Sequence, residues 1–123
     1  MMDLRTVARK RSVALTTRGR KTGHLRTVKI WFVSADHESI YVQHTSPAPA
    51  QWYQNLLRTP SVTLDFGDGP LAAYATPIAD KSKIQEVLRL IRRKYPLGWV
   101  FQLLGWNKKA KVAQITLDRK LAA

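Results

Sequence analysis

LTTRGRKTGHLRTVKIWFV, residues 15–33, sets a basic, glycine-flanked hexamer between two apolar runs. Ahead of the hexamer, Val13, Leu15 and Thr17 alternate with smaller residues, and a period of two predicts a first strand over SVALTT. Behind it, Val28, Ile30 and Phe32 share one parity while Thr27, Lys29 and Trp31 share the other. That alternation predicts a single second strand over residues 25–35, with Val28, Ile30 and Phe32 on one face. RGRKTGH is then the turn between two strands.

Working outward, ADHES turns the chain into a third strand, SIYVQHT. SPAPAQWYQNLLRTP breaks the strand rhythm: Ser46 and the prolines suit a helix entry, Trp52, Leu56 and Leu57 seat a short helix on the core, and Thr59 with Pro60 ends it. SVTLDF alternates again, with Val62, Leu64 and Phe66 inward. GDGP is a hairpin turn, and LAAYATPI is the returning strand. From Asp80 to Tyr95 the period becomes helical, with a stripe of Ile84, Val87, Leu88, Ile91 and Tyr95. Asp80 is a candidate N-cap, and Arg92, Arg93 and Lys94 crowd the end where cations favour the helix dipole. PLGWVFQLLGW is apolar and aromatic without a clear period, and KVAQITL reads as a last strand. Residues 1–11, with Arg5, Arg9, Lys10 and Arg11, read as a short helix or basic arm. The sum is five or six short antiparallel strands with two or three helices, a small β-barrel decorated by helices in one domain over residues 1–123.

Composition narrows the function. The 123 residues suffice for a single core, and 45% hydrophobic with 24% charged residues is an ordinary globular balance. The sign of the charge is not ordinary: 21 Lys and Arg against 8 Asp and Glu give a net +13, a field that attracts polyanions without choosing among them. No cysteine is present, which removes disulfides, thiol nucleophiles and cysteine metal sites. His24, His37 and His44 lie far apart without metal-ligand spacing, no G-x-S-x-G elbow exists, and RGRKTG does not continue as a phosphate-binding Walker loop. No apolar run approaches the ~20 residues of a membrane span, and no secretory-type segment opens the chain, so an intracellular, cytoplasmic protein is expected.

Three readings of RGRKTG stand side by side. It is a solvated turn, or an Arg-Gly-Arg hook for a narrow DNA minor groove, or a phosphate cradle. In the cradle, glycines let backbone N–H groups approach the anion, Arg20 and Lys21 neutralise it, Thr22 adds a hydroxyl and Arg26 returns to the same side.

The wider pattern resembles the deazaflavin-dependent nitroreductase family, split β-barrel oxidoreductases related to the FMN-binding pyridoxamine-phosphate-oxidase group. Leu15, Thr16, Thr17, Gly19, Arg20, Lys21, Thr22, Gly23 and Arg26 match its first element, Trp52, Asn55 and Leu56 its second, and Pro60 and Val62 its third. The resemblance implies a split barrel binding coenzyme F420, with FMN as the alternative cofactor. It further implies that Arg20, Lys21 and Arg26 hold the anionic tail, helped by Thr17, Thr22 and backbone groups near Gly19 and Gly23, and that Trp52 and Asn55 belong to the same site. Where the family carries a Ser-Lys-Gly-Gly type stretch after the third strand, this chain has His44, Thr45 and Ser46, and His44 and Thr45 are the replacements the resemblance suggests. The implied chemistry is hydride transfer to a small electron-poor acceptor, a quinone, an enone or a nitro compound.

Tyr95, Trp99, Phe101 and Trp106 read either as core or as substrate-pocket wall, with Tyr95 the candidate hydrogen-bond donor to the acceptor. WVFQLLGWNKKAK also reads as a peripheral membrane contact. A binding module for nucleic acid or acidic lipid is the competing class. The cations cluster at a glycine turn and are not interleaved with stacking aromatics, which disfavours nucleic acid. A homodimer is the expected assembly from the flavin-binding relatives, and no metal is expected.

Overall fold

The computed structural model describes residues 4–44, 51–95 and 111–118. Seven strands form one antiparallel sheet in the order β2-β1-β5-β6-β7-β4-β3. They are β1 (Val13–Arg18), β2 (Leu25–Ile30), β3 (Phe32–Ser34), β4 (Ser39–His44), β5 (Ser61–Asp65), β6 (Pro70–Ile78) and β7 (Lys111–Leu117), with helices α1 (Gln51–Arg58) and α2 (Lys81–Lys94).

β2 and β3 sit at opposite edges of this sheet, yet only Trp31 separates them in sequence. In a flat sheet of seven strands the edges would stand about 29 Å apart, six gaps of about 4.8 Å. Two trans peptide steps bridge at most about 7.6 Å. The sheet must therefore curl until its edges meet, which is the split-barrel fold expected from the sequence.

The single strand expected over residues 25–35 is thus two strands, and this supplies the seventh. β2 pairs with β1 from Val13↔Ile30 to Arg18↔Leu25, whereas Phe32 to Ser34 pair with β4. Tyr95 explains the break. Its hydroxyl accepts from the Phe32 N–H (3.2 Å) and lies 3.0 Å from the Phe32 carbonyl and 2.7 Å from the Arg11 carbonyl. Its ring stacks on Trp31 at 4.2 Å with 2° between planes. Lys94 adds a bond from Nζ to the same Phe32 carbonyl (2.9 Å). The end of α2 thereby seals the seam where the two edges meet.

The barrel interior is filled from six strands by Val13, Leu15, Phe32, Ile40, Val42, Val62, Leu64, Ala73, Ala75 and Ile115, with Trp52 and Leu56 of α1, and β2 adds only its last residue, the half-buried Ile30. Leu57 does not join them: it is 48% exposed, because an eight-residue helix presents only one stripe to the core and Trp52, Tyr53 and Leu56 occupy it. On the outer face α2 lays Val87, Ile91 and Tyr95 against Val33, Tyr41 and Val112. Asp80 caps this helix by accepting from the Ser82 N–H. The amino-terminal arm is less free than its charge suggests, for Leu4 and Val7, in a 3-10 turn, are both buried in the barrel core. The Leu4 N–H donates to the His37 carbonyl, and its own carbonyl accepts from the Ser34 hydroxyl.

Val28 is the other departure from the expected strand face. Parity puts it beside Leu15, but β2 projects past the core, and every residue from Leu25 to Lys29 is exposed. Its inner face is left to line something other than the barrel interior.

Candidate functional site

RGRKTG is a closed turn between β1 and β2. The Gly19 N–H donates to the His24 carbonyl (2.7 Å), the Gly23 N–H to the Gly19 carbonyl (2.9 Å) and the His24 N–H to Thr22 Oγ1 (3.2 Å). Arg18 clamps the outside by donating from Nη1 to the Gly23 carbonyl (2.7 Å). The geometry favours glycine at both positions. A Cβ on Gly19 would lie 3.0 Å from Thr22 Oγ1 and 3.1 Å from the His24 carbonyl, and Gly23 adopts φ +75°.

Since the N–H groups of both glycines are used inside the turn, they are not themselves anion donors. The backbone donors near them that take no acceptor among the described residues are those of Lys21 and Thr22. Thr22 accepts through its oxygen and keeps its own hydroxyl proton to donate.

Asn55 joins this turn to α1. Only 3% exposed, it accepts at Oδ1 from the Arg20 N–H (3.2 Å) and from Arg20 Nη1 (3.0 Å). Its Nδ2 donates to Thr17 Oγ1 (3.2 Å), on a residue 1% exposed at the end of β1. Thr17 therefore supports Asn55 from beneath and does not face the cleft.

Between α1, the turn and β2 opens a cleft of about 490 Å³, lined by Gly19, Arg20, Lys21, Thr22, Arg26, Thr27, Val28, Gln51 and Asn55. Six of the residues expected at a binding site from sequence meet here: Gly19, Arg20, Lys21, Thr22, Arg26 and Asn55. Three guanidinium or ammonium groups at one mouth, with unpaired backbone donors beside them, suit a flexible ligand carrying several negative charges. The chemistry of this donor set fits a phosphate and carboxylate tail.

Gln51, Thr27 and Val28 were not expected. Gln51 carried a signal, lying one helical turn before Asn55 and so on the same face; Thr27 and Val28, on opposite faces of a strand whose alternation put Val28 inward, carried none.

Other expected residues lie elsewhere. Trp52 is buried in the core, edge-on to Tyr53 (5.8 Å, 82°). Tyr95 sits beyond the Val13–Ile30 end of the β1–β2 ladder, whereas the turn forms its Arg18–Leu25 end. Its hydroxyl is engaged by main-chain partners, and burial pushes its pKa up. His44 ends β4, its backbone paired with Lys111. Thr45, Ser46, Trp99, Phe101 and Trp106 lie outside the described residues. Among the described residues no cluster of three His, Cys, Asp or Glu could hold a metal ion, and no helix is long and apolar enough to cross a membrane.

A curled antiparallel sheet of seven strands with two helices is a split-barrel architecture. The chain belongs to the F420H(2)-dependent quinone reductase family, whose model matches residues 4–103. Among solved structures, an F420-H2 dependent reductase is 21% identical, covering 85% of this chain and 92% of that one, with a TM-score of 0.65. A candidate pyridoxamine 5′-phosphate oxidase from Listeria innocua is 14% identical, covering 94% and 90%, also with a TM-score of 0.65. A domain-swapped dimer is 21% identical, covering 85% and 78%, again with a TM-score of 0.65. At these identities the likeness is one of fold. No curated protein sequence matches the chain.

Proposed function

We propose that this chain is a reductase that holds coenzyme F420 in the cleft between the RGRKTG turn, β2 and α1, and passes its hydride to an electron-poor acceptor. The observation that carries the reading is the convergence of Arg20, Lys21 and Arg26 on one cleft, with Arg20 fixed by a buried amide. Membership in an F420H(2)-dependent family supports the choice of cofactor over FMN. When bound, the reduced deazaflavin supplies a hydride, and the acceptor, a quinone, an enone or a nitro compound, takes it up together with a proton from solvent or a donor.

The chain's own residues do the rest. Arg20, Lys21 and Arg26 neutralise the tail, and Thr22 with the Lys21 and Thr22 N–H groups supplies shorter-range donors. Val28 and Gln51 form the walls that limit how the ligand lies. Holding the cofactor by its tail leaves the ring end to meet the acceptor at a fixed place, and orientation of that kind accounts for much of a transfer enzyme's rate. His44, which ends β4, and Thr45, the next residue in the sequence, are the residues we assign toward the ring. The assembly we propose is a homodimer, with β2 and its 64%-exposed Leu25 as the surface that a second copy covers. Its mass in solution by light scattering tests this.

The test of function is a fluorescence titration of ligand-free protein with oxidised coenzyme F420 and, in parallel, FMN, at two salt concentrations. Saturable binding of the deazaflavin alone, weakened by salt, is expected. Lys21→Ala should weaken it about fivefold, on the order of 1 kcal/mol for one charged contact. Preference for FMN would move the chain to the flavin-binding branch. Binding of neither, with retention of any polyanion in a steeply salt-dependent way, would make it a binding module.

A further inference from the structure

We infer that Asn55 is a positioning residue, acting on the bound anion through Arg20; this rests on the cofactor reading above. Two donors from one residue, the Arg20 N–H and Nη1, converge on Oδ1 and use both of its lone pairs. Turning the amide over would set its NH2 against both of them, so the orientation is determined. One of the two Nδ2 protons is given to Thr17 beneath. The oxygen has nothing left to offer a ligand, and an anion would be repelled by it.

Arg20 gains what Asn55 gives up. A guanidinium is a planar fork with five donors, and pinning Nη1 leaves the Nε–Nη2 edge, which nothing else takes up among the described residues. That edge matches a carboxylate or a phosphate with two parallel bonds. An arginine side chain that is already held loses less rotamer freedom on binding. Neutrality of the partner matters as much as its position. An amide restrains the guanidinium and leaves its charge for the ligand, whereas a carboxylate in the same place would hold it and cancel it. The site is thereby set for a ligand group that is anionic and two-pronged.

The test is a double-mutant cycle read by titration with oxidised coenzyme F420, using the parent protein, Asn55→Ala, Arg20→Ala and the combination. Each single change is expected to weaken binding about tenfold, and the combination no more than Arg20→Ala alone, because the second residue acts only through the first. Losses that multiply to about a hundredfold would mean that Asn55 touches the ligand independently and would overturn the inference. Asn55→Asp should weaken binding more than Asn55→Ala and flatten its salt dependence, since one cation is neutralised in place. A parent protein that binds no F420 would overturn the functional reading and the inference with it. Because Asn55 is buried, a measurement needing no variant stands beside these. In the ligand-free parent, nitrogen NMR of the arginine side chains should show separate Nη1 and Nη2 signals for Arg20, from hindered rotation. A single averaged signal would show that nothing holds it, and the inference would fail.

Discussion

Gly19 and Gly23 occupy the two ends of one turn for different physical reasons, and the difference is measurable. Gly23 has φ +75° with open space where a Cβ would go, so Gly23→Ala meets only the backbone cost of the left-handed region, about 1–2 kcal/mol. Gly19 is held by contact, since a Cβ would press on Thr22 Oγ1 and the His24 carbonyl, the atoms that close the turn. Gly19→Ala should therefore displace Arg20 and Lys21 as well as cost stability. Urea unfolding paired with F420 titration separates the two: Gly23→Ala is expected to lose stability with affinity nearly kept, and Gly19→Ala to lose about tenfold in affinity besides. Equal effects of the two on affinity would show that the turn tolerates a side chain at position 19.

At the scale of elements, the end of α2 and the β2–β3 junction form one latch. Tyr95 substitutes for a strand partner at Phe32, in a place where the ladder changes edge and no strand continues. Tyr95→Phe keeps the ring on Trp31 and removes the hydroxyl, leaving the buried Phe32 N–H without its acceptor. A loss of about 2 kcal/mol in chemical unfolding is expected. Cofactor affinity and turnover with a quinone acceptor should stay within twofold of the parent, the latch being at the other end of β1 from the cleft. A fall in turnover at unchanged stability would return Tyr95 to the reacting groups. The same latch explains why the helix ends where it does, for the Tyr95 N–H closes on the Ile91 carbonyl while its side chain is already committed to the sheet.

Over the whole molecule the charge of +13 is compensated weakly. Asp36, Asp65 and Asp80 direct their carboxylates to backbone N–H groups in turns and at a helix cap, which removes them from the pool of partners for cations. Lys94 shows the consequence for stability. Its ammonium stands 3.6 Å above the Phe32 ring centroid, and burial lowers its pKa from 10.5 to about 8. The unfolded chain then binds more protons than the folded one between pH 8 and 10.5, so this group's penalty is present below pH 8 and is relieved as the pH rises. The parent's stability measured against that of Lys94→Met should climb from about pH 7.5 to 9.5, below the range where Tyr95 titrates. A flat difference would mean that Lys94 keeps an ordinary lysine's proton affinity in the fold.

Local chemistry was legible in the sequence wherever it is set by period and turn residues. The alternation of β1, β5, β6 and β7, the helical stripe and Asp80 cap of α2, and the glycine turn all follow from side-chain spacing and backbone freedom, which neighbours along the chain determine. The cations of the cleft were legible for the same reason, since Arg20, Lys21 and Arg26 flank one turn. The sequence by itself did not determine where the strand over residues 25–35 breaks, because its alternation runs unbroken through Trp31. Only closure of the sheet, with Tyr95 brought from sixty-odd residues away, decides it. Nor could spacing reveal that Asn55 grips Arg20 across 35 positions, or that Val28 belongs to a cleft and not to the core. Those facts depend on which surfaces curvature brings together, and curvature is a property of the assembled sheet.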